Sequence, residues 1–180
     1  MLRSKMNVLA IKLPLITKHI NSTEKLLDIG TGHGGICKVL SDKGYHIDTL
    51  DIHNISLFPE VKPQLYDGST LPYRNNSYDT ILFITVLHHT SDARNLLSQA
   101  QKVARRIIIM EDIYSNRFQR FITQHMDSLA NLEFYGHPHS NRSDSEWRDL
   151  FSELGLQLTH VEYINTLYFF RQVVYVLERG

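Results

Sequence analysis

Two kinds of apolar pattern alternate along the chain. Short runs without helical period occur at Lys25-Leu26-Leu27-Asp28-Ile29, at His46-Ile47-Asp48-Thr49-Leu50-Asp51 and at Gln64-Leu65-Tyr66-Asp67-Gly68. Two more run from Asp79 to Leu87 and through Ile107-Ile108-Ile109-Met110-Glu111. Their length and aliphatic content predict strands, several of them buried on both faces. Between them apolar residues recur at helical spacing: Ile36, Cys37, Val39 and Leu40 ahead of Gly44, then Leu96, Leu97, Ala100 and Val103 behind Ser91-Asp92. Phe118, Phe121, Ile122, His125, Met126 and Leu129 form a third such face, and Trp147, Leu150, Phe151 and Leu154 a fourth. The fourth starts at the capping box Ser143-Asp144-Ser145-Glu146 and stops at Gly155. A shorter helix is predicted over about residues 5–20, with Val8, Leu9, Leu13, Ile16 and Ile20 apolar. Leu156 to Ile164 and Tyr168 to Leu177 read as two final strands joined by a short connection. Strands alternating with helices predict an α/β fold around a mainly parallel sheet.

One interval breaks the alternation. Ile52 to Pro63 carries Pro59 and Pro63 and only a brief apolar run, so a helix there is shortened or absent.

The chemistry concentrates at the end of the first strand, in Asp28-Ile29-Gly30-Thr31-Gly32-His33-Gly34-Gly35. Strand, glycine turn and helix N-terminus together make a cradle that a ligand's anionic part can approach closely. Gly30, Gly32 and Gly35, with Asp51 about twenty residues on, fit a dinucleotide fingerprint. Gly30, Gly32 and Gly34 also fit D-x-G-x-G-x-G with Asp28 leading. A pyrophosphate already brings negative charge, so a carboxylate at that point suits a ligand with cationic groups, such as an ammonium and a sulfonium.

From about Asn21 to the C-terminus the chain resembles the class I S-adenosylmethionine-dependent methyltransferases. The resemblance implies a Rossmann-like three-layer sandwich with a seven-stranded, mostly parallel sheet and a C-terminal antiparallel hairpin. It implies S-adenosyl-L-methionine as cofactor, held by Asp28, Gly30, Thr31, Gly32 and Gly34, by Asp51 and Ile52, by Asp67 and Gly68, and by Thr85. Asp51 ends the second strand, where a carboxylate accepts from vicinal ribose hydroxyls; capping of the next turn is its plainer role. By the resemblance Asp67 accepts from the adenine amine; an Asx-turn before Gly68 is the alternative.

His88-His89-Thr90 follows the fourth strand, at the sheet edge where ligands gather in open α/β folds. Either histidine is a candidate base for the methyl acceptor. Glu111 and Asp112 end the fifth strand; one is expected to face the acceptor and the other to bind backbone or an arginine of the Arg105-Arg106 pair. The segment 113–142 is read as a lid insertion in a single domain spanning 1–180, with 1–20 as an N-terminal helix.

Composition narrows the partners. The 180 residues carry 19 Lys plus Arg against 19 Asp plus Glu, a formal charge of zero. That balance gives no strong nucleic-acid signal, and no Asn/Asp-Pro-Pro-Tyr motif follows the fourth strand, so the expected acceptor is a small molecule. No apolar run reaches the length of a membrane span. The lone Cys37 allows no internal disulfide and fits a cytoplasmic setting as a small buried hydrophobe. His137-x-His139 lacks companion ligands, so no metal is expected. The expected activity is methyl transfer to an O, N or C nucleophile. Its rivals are a non-catalytic S-adenosylmethionine-binding partner subunit and an NAD-dependent oxidoreductase, whose fold would continue with a crossover helix in place of the hairpin.

Overall fold

The structure is a computed structural model and describes residues 12–113, 142–166 and 170–180. Seven strands form one sheet in the order β3-β2-β1-β4-β5-β7-β6. β1 (Lys25–Ile29), β2 (His46–Asp51), β3 (Gln64–Leu65), β4 (Tyr78–Ile84) and β5 (Ala104–Ile113) run parallel. β6 (Leu156–Thr166) and β7 (Phe170–Arg179) are antiparallel to each other, and β7 is antiparallel to β5. This is the expected Rossmann-like sandwich with its closing hairpin.

Period-two alternation on β1 sends Leu27 and Ile29 to one face of the sheet and Leu26 to the other. On the first face they meet α2 (Ala93–Val103) and α3 (Asp144–Glu153) through Leu96, Leu97, Trp147 and Phe151. On the second, Leu26, Leu82, Ile108 and Val174 pack against Leu40 of α1 (Gly35–Asp42) and Ile16 of a helical segment at 12–17. Each fully buried aliphatic side chain contributes roughly 1.5–3 kcal/mol. The helix starts follow their sequence signals. Asp92 accepts from Asn95 N–H at the head of α2, and Ser143 and Glu146 form the capping box of α3.

Three of the strand boundaries around the site differ from the reading of the sequence. β4 stops at Ile84 instead of running to Leu87, because Thr85 turns into left-handed backbone at φ 55°. β5 starts at Ala104, before the arginine pair. Arg106 is tied there by Glu24 and Glu178, and no ion pair joins either arginine to Glu111 or Asp112 among the described residues. β3 is two residues long, ending before Tyr66, Asp67 and Gly68. Ile52 to Pro63 contains no helix, as the prolines predict. Ile52, Ile55, Leu57 and Leu65 are exposed along that edge. A cavity of about 420 Å³ opens beside it, lined by Ser41, Asp48, Glu60, Val61, Tyr73 and Tyr78. The proposed lid helix, His137 and His139 lie outside the described residues, as does the first part of the N-terminal helix. No helix among the described residues is long and apolar enough to cross a membrane.

Candidate active site

The carboxyl ends of β1, β2, β4 and β5 meet in one place because short hydrogen bonds tie their turns together. Gly30 N–H donates to Leu50 O at 2.8 Å, Gly32 N–H to Asp51 Oδ2 at 2.7 Å, and Thr85 N–H to Met110 O at 2.7 Å. The glycines serve different ends. A Cβ on Gly30 would lie 2.1 Å from Val86 Cγ2, so that position is filled by the loop after β4. A Cβ on Gly34 would meet Ser56 Oγ at 2.8 Å and Val61 Cγ1 at 3.0 Å. At Gly32 the same atom would meet nothing nearer than Gly30 O at 3.9 Å. That part of the turn is open and fits a ligand lying against the backbone.

Asp28, beneath the turn, is 4% exposed and has no cationic partner among the described residues. The thiol of Cys37 donates to its Oδ2 at 2.9 Å. Burial raises its pKa from the ordinary 3.8 to about 6, against the thiol and hydroxyl donors of Cys37 and Thr31 and with the charge of Asp51 adding to the rise. The same burial, with Asp28 adjacent, pushes the Cys37 thiol well above its usual range. Cys37 is therefore a hydrogen-bond donor to a buried acid as well as a packing residue. Buried carboxylates need a counter-charge or a proton; an ammonium brought by a ligand fits.

Asp51 accepts from Gly32 N–H through Oδ2, and from Ile52 and His53 N–H through Oδ1 at 2.7 and 3.3 Å. Oδ1 is thus saturated by backbone, and one lone pair on Oδ2 is left for a ribose hydroxyl. Asp67 uses Oδ1 for the N–H groups of Ser69 and Thr70, an Asx-type turn that lowers its pKa. Gly68, at φ 80°, would place a Cβ 3.1 Å from Ile52 Cγ2, so two of the expected cofactor residues are neighbours.

On the other side of the cradle, Thr85 Oγ1 donates to Ile84 O at 2.7 Å and accepts from Lys12 Nζ at 3.4 Å. Positive φ in a β-branched residue is strained and persists only when neighbours hold it. Glu111 supplies that hold. It is completely buried, and its Oε1 accepts from Val86 and Leu87 N–H at 2.9 and 2.7 Å. Its Oε2 lies 2.5 Å from Nδ1 of His88. His88 is 5% exposed and sits in the 3-10 turn Leu87–His89. The His89 ring packs 4.0 Å from it, centroid to centroid, and is partly exposed. Of the two acids ending β5, then, Glu111 faces inward and Asp112 is partly exposed.

Lys12 escaped the reading of the sequence. It makes no ion pair among the described residues, and burial lowers its pKa, opposed by the charges of Asp112 and Glu111. A single lysine ahead of Pro14 carries no motif, and only the packing of the 12–17 segment brings it beside Thr85.

A family model described as "Methyltransferase domain" matches residues 3–161. The chain belongs to the methyltransferase-domain family. S-Adenosylmethionine is its cofactor, which sets the nicotinamide reading aside. Sarcosine/dimethylglycine N-methyltransferase of Aphanothece halophytica is 25% identical over 133 residues, 62% of this methyltransferase-family chain and 48% of that protein. Demethylmenaquinone methyltransferase of Tropheryma whipplei (strain Twist) is 22% identical over 167 residues, 82% of this chain and 69% of that protein. The chain thus spans about half the length of the first of these relatives. The solved structure of YcgJ protein from Bacillus subtilis shares the fold at a TM-score of 0.72 and 16% identity, covering 97% of this chain and 99% of that one.

Proposed function

We propose that this chain transfers the methyl group of S-adenosylmethionine to an oxygen, nitrogen or carbon nucleophile of a small molecule. The observation that carries the reading is Asp28, a buried carboxylate without a cation partner among the described residues, under a glycine turn with an open Gly32. When bound, the cofactor supplies an electrophilic methyl on a sulfonium that takes back the bond's electron pair. Asp28 would face its ammonium, Lys12 its carboxylate, Asp51 a ribose hydroxyl, and Asp67 with Ile52 and Gly68 the adenine.

The residues of the chain then have two tasks. The closed loop after β4 excludes water and orients the acceptor, which supplies most of the advantage in a charge-dispersing transfer. His88, with His89 beside it, receives the acceptor's proton as the new bond to the methyl carbon forms. A small acceptor agrees with the zero formal charge and with the small molecules named for the two curated relatives.

Calorimetry with S-adenosylhomocysteine and transfer of labelled methyl to lysate metabolites test the reading. Tight NAD binding with none of S-adenosylhomocysteine would sink it. Binding without turnover on any acceptor would favour the second reading, a non-catalytic partner subunit. That reading draws on the missing helix after β2 and the exposed Ile52, Ile55, Leu57 and Leu65.

A further inference from the structure

We infer that Glu111 is a positioning residue: one buried carboxylate fixes the tautomer of His88 and fastens the loop that backs the glycine turn. The catalytic consequence rests on the methyl-transfer reading above; the positioning itself does not.

The argument begins with the donors. Backbone N–H groups only donate, so the bonds from Val86 and Leu87 commit Oε1 as an acceptor. With Glu111 as a carboxylate, Oε2 is an acceptor too, 2.5 Å from the His88 ring. The hydrogen between them therefore belongs to Nδ1, and in the neutral imidazole the lone pair belongs to Nε2. Left alone in water, imidazole favours neither nitrogen strongly enough to keep one always ready as the base. Here the tautomer is chosen by a group with no other freedom, since Glu111 is 0% exposed. The carboxylate also stabilises the positive charge that the ring gains on accepting a proton.

The same side chain acts on the cradle. Val86 and Leu87 follow the strained Thr85, and the Val86 side chain occupies the space a Cβ on Gly30 would need. Fixing the Val86 N–H fixes that side chain, and with it the back of the glycine turn. Proton acceptor and cofactor cradle are thereby placed relative to each other by one residue of β5.

Glu111→Gln separates these roles. Its amide oxygen can still accept from Val86 and Leu87, but its NH2 would donate to Nδ1 and drive the ring to the Nε2–H form. Histidine-labelled ¹⁵N NMR, with His88 assigned by its loss in His88→Gln, reads the tautomer directly. Wild-type protein should show Nδ1 protonated, and Glu111→Gln should show Nε2 protonated. Affinity for S-adenosylhomocysteine should be almost unchanged in Glu111→Gln and lost in Glu111→Ala. Turnover in Glu111→Gln should fall by about 10²–10⁴-fold, the span general bases contribute. An Nε2–H ring at His88 in the wild type overturns the inference. So does a tautomer that stays put in Glu111→Gln. A switched tautomer with undiminished turnover leaves the positioning standing and removes His88 as the base of the methyl-transfer reading.

Discussion

Asp28 and Asp51 are both acids at strand ends, yet the structure asks different things of them. Asp51 is saturated at Oδ1 by backbone N–H groups and pins Gly32 through Oδ2. Asp51→Ala should weaken S-adenosylhomocysteine binding by about 1.5–3 kcal/mol, the range for hydrogen bonds to a charged group. An unchanged dissociation constant by calorimetry would reduce Asp51 to a turn residue. Asp28 instead stores strain in the free protein. Its folded pKa of about 6 lies above the ordinary 3.8. The stability it contributes is fully present below about pH 4, where it is protonated in both states, and is lost as pH rises through 6. At neutral pH the ionised group costs the free fold on the order of 3 kcal/mol. Asp28→Asn should therefore raise the urea midpoint of the free protein at pH 8 while leaving it nearly unchanged at pH 4. A lower midpoint at pH 8 would contradict the assignment. Both acids were legible from their spacing to the glycines. Glu111 was legible as a strand-end acid but not as the residue facing inward, because the pleat and loop after β4 decide that.

At the scale of elements, the glycine turn and the loop after β4 behave as one unit. Period-two and period-3.6 patterns located nearly every strand and helix, since each buries a face against the sheet. They misplaced the end of β4, because Val86 and Leu87 are as apolar as the strand before them and the backbone turns at Thr85. The unit also makes a prediction. Gly30→Ala places a methyl against Val86 at a φ of 79°, so it should destabilise the fold. Val86→Ala alone should cost about 0.5–3 kcal/mol, as core truncations commonly do. The double variant removes the Cγ2 contact at 2.1 Å and keeps the Cβ contact at 2.8 Å, so the combined loss should be smaller than the sum of the two. Additive losses in denaturant unfolding would show that the two loops are energetically separate.

For the whole molecule, the buried carboxyl of Asp28 allows one test that joins folding, pH and ligand. A ligand that binds only the folded chain stabilises it by RT ln(1 + [L]/Kd), about 2.7 kcal/mol at a hundredfold excess over Kd. An ammonium facing Asp28 is best accommodated when the carboxyl is ionised, so S-adenosylhomocysteine should bind more weakly as pH falls below 6. The stabilisation it gives at one fixed concentration should then grow as pH rises through 6, while the Asp28 contribution to the free fold declines over the same window. The two trends have opposite sign and one cause. The test is a pair of thermal melts, with and without ligand, at pH 5, 6, 7 and 8. Asp28→Asn should flatten both trends, because it removes the titrating group without removing the thiol's acceptor. NAD should leave every midpoint where it was, since its pyrophosphate would meet an unpaired buried carboxylate. A ligand-induced shift that is constant across this range in the wild-type protein would mean that the ammonium is held elsewhere, and Asp28 would then be a buried acid with no part in binding.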